Sequence, residues 1–301
     1  PLRMLRAARF ASQLDFEIAP NVLAAMKEMA PRLSIISAER IRDELSKILM
    51  SQNPRLGITI LVDTGLADIV LPEIPKLRLE VDEHHHHKDV YEHSITVLEQ
   101  AIELEARLGG PNLVIRIAAL LHDIGKPKTR AFIEGGGVSF HHHEVVGARL
   151  VKKRLQALRF DNDTIEAVEL LTMLHLRFHG YGEGEWTDSA VRRYVRDAGD
   201  FITHLHVLTR ADCTTRNKTK AARLSATYDS LEARIAVLME QEELSKIRPD
   251  LDGEQVMQIL KLKPSREVGQ AMDFLMELRL EQGPIGQEAA TKALLNWWSS
   301  K

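Results

Sequence analysis

Thirteen histidines lie in 301 residues, all between His84 and His206. The sharpest group is Leu120-Leu121-His122-Asp123-Ile124-Gly125-Lys126. The apolar run 114–121 reads as a helix that delivers an imidazole and a carboxylate at its carboxyl end, where Gly125 can terminate it. Adjacent side chains on a helix diverge by about 100°, so both reach one ion only if it sits over the helix end. An earlier His93 and a later Asp212 would complete a His-His-Asp-Asp set. Imidazole and carboxylate together suit a divalent transition metal (Mn²⁺, Ni²⁺, Fe²⁺), or Mg²⁺ with water in its open positions. Such an ion lowers the pKa of a bound water and neutralises a phosphate oxygen. Lys126 can add charge on that phosphate. The chemistry expected is phosphomonoester or phosphodiester hydrolysis, with Asp123 and Lys126 as its catalytic groups. The bland alternative is that His122 and Asp123 only cap a helix. Two such groups are costly to bury after an apolar run without a partner, which favours the metal.

The elements that must position these residues read as helices. Ile41, Leu45, Ile48 and Leu49 recur at i, i+4, i+7 and i+8, behind Ser37 as a candidate N-cap. Val97, Ala101, Leu104 and Leu108 repeat the pattern, as do Ile115, Ala118 and Leu121, and Val151, Leu155 and Leu158. Breaks fall at Gly109-Gly110-Pro111, at Gly135–Gly137, at Gly180–Gly184 and at Arg248-Pro249-Asp250. Thr129 to Phe140, around the glycine triplet, is the one hairpin expected. The fold class is therefore all-α, and the length implies more than one compact unit. Three regions are expected: 1–80, basic and helical; 81–220, holding every histidine; and 221–301, helical and histidine-free.

Hydrophobic residues make up 44% and charged residues 28%, which excludes wholesale disorder. No apolar run approaches the ~20 residues of a membrane helix, so no membrane partner is expected. The single cysteine, Cys213, excludes an internal disulfide framework and fits a reducing compartment, the cytoplasm. Net charge is −3, from 40 basic and 43 acidic residues, so any RNA surface must be local.

The set His93, His122-Asp123, Asp212, with Lys126 in an H-D-x-G-K continuation, resembles the HD superfamily of metal-dependent phosphohydrolases. The resemblance implies further roles for His143 (in His143-Glu144, before Gly147-Ala148) and His175 (in Leu174-His175-Leu176-Arg177). These match places where binuclear members carry extra ligands, for a second metal or a phosphate; surface or supporting roles are the alternative. His141 and His142 read as loop residues. His84–His87 read as a solvated approach to the His93 helix, with His87 alone a pocket candidate. His179, His204 and His206 read as structural.

The amino terminus adds a second resemblance. Arg3, Arg6 and Arg9 lie near one helical face of Pro1–Phe10, with Ala7, Phe10 and Leu14 as the expected apolar face. Arg3-Met4-Leu5-Arg6-Ala7-Ala8-Arg9-Phe10 is similar to the R-x-L-R-A-x-R-F run of class II CCA-adding tRNA nucleotidyltransferases and bacterial poly(A) polymerases. There it follows an E-D pair, and Arg3 matches the arginine that reads the incoming CTP or ATP base edge. Ser37-Ala38-Glu39-Arg40-Ile41-Arg42-Asp43-Glu44-Leu45 resembles the S-x-E-R-I-x-x-E-L segment. This implies Arg40 and Glu44 at the nucleotide pocket; an ordinary Arg40–Glu44 pair at i, i+4 is the alternative. Gly65-Leu66 to Leu71-Pro72-Glu73 resembles the G-L-x-x-x-x-L-P-E segment. The run Leu251-Asp252-Gly253 to Val268-Gly269 resembles family tails, with Ser265 where glycine is usual.

The resemblance implies a neck and body at 1–80 binding RNA and nucleotide, an HD domain at 81–220 and a tRNA-binding tail at 221–301. Partners implied are tRNA, CTP and ATP in the intact parent, and a phosphoester substrate. Neither the G-G-x-V-R-D segment nor the D-x-D metal pair of the family's polymerising head occurs in its context. The chain, which starts at Pro1 without Met, is thus expected to be part of a longer protein whose Mg²⁺-dependent nucleotidyl-transfer site lies elsewhere. A freestanding HD nucleotide phosphohydrolase and a non-catalytic RNA-binding module with a vestigial metal site are the other readings.

Overall fold

The computed structural model describes residues 1–79, 89–133, 138–181, 186–215, 217–242 and 247–300, except the side chains of Leu79 and His179. His84–His87, Gly135–Gly137, Gly182 and Gly184 lie outside the described residues. The fold is all-α, with one two-stranded ribbon among the described residues. Two compact units are formed, one from residues 1–178 and 200–222, the other from 179–199 and 223–301.

The first unit opens with α1 (Leu2–Leu14), α2 (Pro20–Met29), α3 (Ala38–Leu49), α4 (Pro54–Asp63) and the short α5 (Ala67–Val70) and α6 (Glu73–Lys76). α7 (Val90–Glu103), α8 (Leu113–Leu121) and α9 (Lys126–Thr129) follow. The ribbon comes next, β1 (Ala131–Phe132) antiparallel to β2 (Val138–Ser139), with Ala131 opposite Ser139. α10 (His143–Ala157) and α11 (Asn162–Leu174) precede α12 (Asp188–Ala198), which belongs to the second unit. The chain then returns with α13 (Ile202–Ala211).

Short polar side chains start several helices by satisfying an amide that has no intrahelical partner. Asn53 accepts from Leu56 N ahead of Pro54, Asp89 from Tyr91 N, Asn112 from Ile115 N and Asp161 from Thr164 N. Ser37 does sit at the N-cap of α3, but its side chain makes no capping bond. The expected apolar stripes are buried at Ile41, Leu45, Ile48 and Leu49, and at Val151, Leu155 and Leu158. α7 stops short of its expected stripe: it ends at Glu103, and Leu108 falls in a 3₁₀ turn closed by Gly109 at φ 85°.

The packing face of α1 differs from the expected one. Met4, Leu5, Ala8, Ala11 and Ser12 are buried, whereas Phe10 and Leu14 are 43% and 64% exposed. Small residues decide this, because α1 closes on α3 and α4 where side chains are short. A Cβ on Gly57 of α4 would lie 2.5 Å from Ile48 Cγ2 and 3.0 Å from Ser12 Cβ. Glu44 also turns toward α1: it pairs with Arg6 at 3.1 Å and Arg9 at 2.8 Å, while Arg40 is exposed. The i, i+4 pair is therefore not the one formed. A buried carboxylate needs charge delivered into the interior, and Arg9 is largely enclosed.

α14 (Lys218–Glu242) runs from the first unit into the second. There α15 (Gly253–Leu260), α16 (Arg266–Gln282) and α17 (Gln287–Ser299) complete the chain. Their core is Leu251, Val256, Ala271, Leu275, Ala290 and Leu294, beside a Phe274–Trp297 stack at 4.9 Å. Asp252 and Gln255 form a reciprocal capping box at the start of α15. Arg192 of α12 is held bidentately by Glu242, at 2.8 Å on both sides. Ser265, at the usual glycine position, has φ −160°, extended backbone that any residue adopts.

Candidate metal centre

Asp123 lies just past α8, and four helices beside α8 bring histidine or aspartate to it. His93 comes from the first turn of α7, His122 from the end of α8, His143 from the first residue of α10, His175 from the end of α11 and Asp212 from the end of α13. Every ligand sits at or within a turn of a helix end. That resolves the divergence of His122 and Asp123: after Leu121 the chain leaves the helix, and both side chains turn to one point.

The two oxygens of Asp123 address different partners. Oδ2 lies 3.2 Å from His122 Nε2, 3.5 Å from His93 Nε2 and 2.8 Å from Lys126 Nζ. Oδ1 lies 3.2 Å from His143 Nε2 and 3.9 Å from His175 Nε2. Asp212 Oδ1 closes the first cluster, 2.9 Å from His93 Nε2 and 3.6 Å from His122 Nε2. Two groups could each hold an ion, His93–His122–Asp123 and Asp123–His143–His175, with ligand atoms in each within 4.8 Å of one another. Asp123 is the residue common to both groups.

The histidines are oriented from behind. His122 Nδ1 lies 2.8 Å from Ala119 O, His143 Nδ1 2.8 Å from Phe140 O, and His175 Nδ1 2.7 Å from Thr172 O. A carbonyl only accepts, so each Nδ1 carries a hydrogen and donates it. In the neutral ring this leaves the Nε2 lone pair aimed at Asp123. His93 Nδ1 meets Thr214 Oγ1 at 3.2 Å. Backbone tethering of the far nitrogen is the usual support of a metal-bound imidazole.

The electrostatics fit a cation. Burial opposes charge on His122, but the Asp123 and Asp212 carboxylates outweigh it and raise its pKa to about 9. Burial would push the Asp123 carboxyl up; His122 and Lys126 overcome this and hold it well below the usual range. Asp212 is likewise held low against its burial, by the hydrogen bond from His93 and the charge of His122. Burial, with His122 nearby, pushes His175 down to about 3, so its imidazole is a neutral donor. His175 Nε2 is buried with no hydrogen-bond partner, and His143 Nε2 has none of acceptable geometry despite its approach to Asp123. Buried, unsatisfied nitrogens beside a carboxylate are what a divalent ion would satisfy, so the donor set fits the group.

Glycine 125 has a role other than the one expected. It does not end α8 in a left-handed conformation; its φ is −76°. A Cβ there would collide with the His143 carbonyl and lie 2.7 Å from Gly147 N. The turn after His122-Asp123 therefore presses on the backbone of α10, and this brings His143 to Asp123.

Other predicted residues separate from the centre. Arg3 and Arg40 are exposed, on α1 and α3, and Glu44 is buried beneath Arg6 and Arg9. His141 and His142 are exposed, His142 with φ 61° as the residue before α10. His204 meets Asn112 Nδ2 at 3.2 Å and Phe201 edge-on. Sequence reasoning missed Arg116 and Glu105. Both are 4% exposed and joined bidentately at 2.7 Å, with Arg116 also donating to Leu49 O and Ser51 O. The available signal was a lone arginine inside the apolar run of α8.

A family model described as "Probable RNA and SrmB- binding site of polymerase A" matches residues 15–77, and the HD domain model matches 90–239. An A-adding tRNA nucleotidyltransferase of Deinococcus radiodurans is 32% identical over 309 residues, covering 100% of this chain and 69% of that protein. The chain belongs to the tRNA nucleotidyltransferase family. A CC-adding tRNA nucleotidyltransferase of Thermus thermophilus is 32% identical, over 99% of this chain and 66% of its own length. A multifunctional CCA protein of Neisseria gonorrhoeae is 35% identical over 61% of this chain and 44% of its own length. The chain thus spans 69%, 66% and 44% of the lengths of these three curated relatives. A solved CCA-adding enzyme of Bacillus stearothermophilus, in complex with CTP, shares the fold: TM-score 0.65 at 17% identity, over 99% of this chain and 62% of that one.

Proposed function

We propose that this chain is the neck, body, HD and tail portion of a tRNA nucleotidyltransferase, and that its His–Asp centre is a divalent-metal phosphohydrolase site. Residues 1–80 serve RNA and nucleotide, 81–220 the metal centre, and 221–301 tRNA. Arg3 reads the incoming CTP or ATP in the intact parent, which completes the CCA end in the cytoplasm using Mg²⁺. Arg6 and Arg9 are committed to Glu44, and this leaves Arg3 exposed on the same helix for such a role. By itself the chain adds no nucleotides. Its two D-x-D spacings, Asp161/Asp163 and Asp250/Asp252, lie at helix starts, where Asp161 and Asp252 act as caps.

The observation that carries the hydrolase reading is the tethering of His122, His143 and His175 through Nδ1 to backbone carbonyls, with their Nε2 atoms turned to one carboxylate. His93, His122, Asp123 and Asp212 would hold one divalent ion; Asp123, His143 and His175 would hold a second ion or a phosphate. Bound there, the ion supplies charge that acidifies water and neutralises phosphate oxygens. Asp123 offers one oxygen to each cluster and sets their separation. Lys126 Nζ, at the Oδ2 edge, adds positive charge beside a phosphate seated there. Water adds to phosphorus, the ester P–O bond breaks, and the departing oxygen takes the proton that water gives up.

Asp123→Ala tests this reading. The wild-type chain should carry near-stoichiometric metal after growth with Mn²⁺, Ni²⁺ or Fe²⁺ and should hydrolyse 2′,3′-cyclic nucleotides or small phosphomonoesters. The variant should lose both while its far-ultraviolet circular dichroism stays helical. A wild type without metal or hydrolysis leaves the RNA-binding module as the answer.

A further inference from the structure

The ribbon β1–β2 is tied to the metal centre at both ends. It leaves from α9, where Lys126 lies 2.8 Å from Asp123 Oδ2. It returns at Phe140, whose carbonyl orients His143 and whose ring lies 5.6 Å from Lys126 Nζ. From the first anchor the sequence runs Lys126-Pro127-Lys128-Thr129-Arg130-Ala131-Phe132-Ile133. Lys128 and Arg130 are exposed. Phe132 is 77% exposed and Ile133 52%, and the Arg130 guanidinium lies over the Phe132 ring at 4.8 Å.

Phe132 has one ring face beside a guanidinium and is otherwise open to solvent. Its chemistry is that of base recognition: the ring offers a stacking face, and the cations attract a phosphate backbone. Phe132 lies six positions after Lys126, so its Cα stands no more than about 20 Å from that of Lys126. The basic residues at 126, 128 and 130 mark the path between. Charge complementarity therefore favours a polyanion with unstacked bases.

We propose that Arg130 and Phe132 form a platform on which a base near the end of a single-stranded RNA stacks, with its terminal phosphoester directed to the metal centre. This assignment rests on the phosphohydrolase reading of that centre and names its substrate class: phosphoester-ended oligoribonucleotides rather than free mononucleotides. Single strands suit the site because their bases can turn out onto an aromatic face.

The test compares the 301-residue wild type with Phe132→Ala, Phe132→Trp and Arg130→Ala. The probe is a five-nucleotide RNA with a 5′ fluorophore and a 2′,3′-cyclic phosphate, in Mn²⁺; bis(p-nitrophenyl) phosphate is the small substrate. Fluorescence anisotropy should show Phe132→Ala binding the RNA about tenfold or more weakly and Phe132→Trp within about twofold of wild type, as loss or retention of one stacked base requires. Arg130→Ala should bind more weakly and with a shallower salt dependence. In hydrolysis, Phe132→Ala should lose at least tenfold more kcat/KM on the RNA than on the small substrate. Equal RNA affinity for wild type and Phe132→Ala overturns the platform. So does equal RNA affinity combined with lost binding to phosphatidylglycerol vesicles, which would make the ribbon a lipid contact. If the wild type hydrolyses neither substrate, the phosphohydrolase reading falls, and the anisotropy comparison still decides the platform.

Discussion

Ala119, Phe140 and Thr172 each offer a carbonyl oxygen to a histidine of the metal centre, and those oxygens decide which nitrogen of three histidines faces Asp123. The pattern was partly legible. His122-Asp123 and Lys126 announce themselves by type and order. His143 and His175 could be placed only by resemblance, because nothing local to either shows the fold bringing it to Asp123. Arg40 with Glu44 read as an i, i+4 pair, but burial of Glu44 drew Arg6 and Arg9 instead, a contact across 35 or more positions that local spacing cannot reveal. Gly125 reads as a helix stop, and its actual function, close approach to the backbone of α10, is likewise a long-range fact. Gly125→Ala should therefore act as an overpacking substitution rather than a loss of conformational freedom. The obstructing atoms are backbone, so they cannot swing aside as a flexible side chain would. The expected loss is about 1–3 kcal/mol, read as a lower urea midpoint with an unchanged slope. Metal affinity should weaken in the same protein, because His143 moves with α10. An unaltered midpoint would show that the turn and α10 are less tightly apposed than described.

At the scale of elements, α8 was legible as an apolar helix but not as a charged crosslink. Arg116 occupies its interior, closes a bidentate pair with Glu105 and caps the carbonyls of Leu49 and Ser51 at the end of α3. The helix that delivers His122 and Asp123 is thereby bolted to the end of α3, within the same unit. A run of aliphatic residues predicts burial, but it cannot say which buried charge will find a partner 11 or 65 residues away. The same blindness explains α1, which buries Met4 and Leu5 with Ala8, Ala11 and Ser12, the last opposite Gly57, and leaves Phe10 and Leu14 exposed. Truncating Arg116 removes four hydrogen bonds and strands Glu105 in the interior. Arg116→Met should cost roughly 3–5 kcal/mol, the range for breaking a buried pair from one side. Glu105→Gln should cost less, since its amide oxygen can still accept from Arg116 and from Asn112 N. Urea unfolding followed by circular dichroism checks the order of the two variants; a smaller loss for Arg116→Met would remove the crosslink from the account.

At the scale of the molecule, the division into two units has a spectroscopic consequence. The three tryptophans, Trp186, Trp297 and Trp298, all belong to the second unit, whereas every proposed metal ligand belongs to the first. Sequence breaks hinted at a histidine-free tail, but they did not reveal that residues 179–199 leave the histidine-bearing region to join it. Those residues carry Arg192, whose partner Glu242 lies 50 positions later, and so the interruption is written in a contact no local pattern contains. Helical signal reports both units; tryptophan emission reports the second alone. A ligand that binds only the folded first unit stabilises it by mass action, by about 2.7 kcal/mol when present at 100 times its Kd. Saturating Mn²⁺ should therefore raise the thermal transition seen by circular dichroism at 222 nm more than the transition seen by tryptophan fluorescence. Asp123→Ala should remove that difference, since it deletes the carboxylate that both histidine clusters share. Equal shifts by the two probes, persisting in Asp123→Ala, would place the stabilising ion somewhere other than the His–Asp centre.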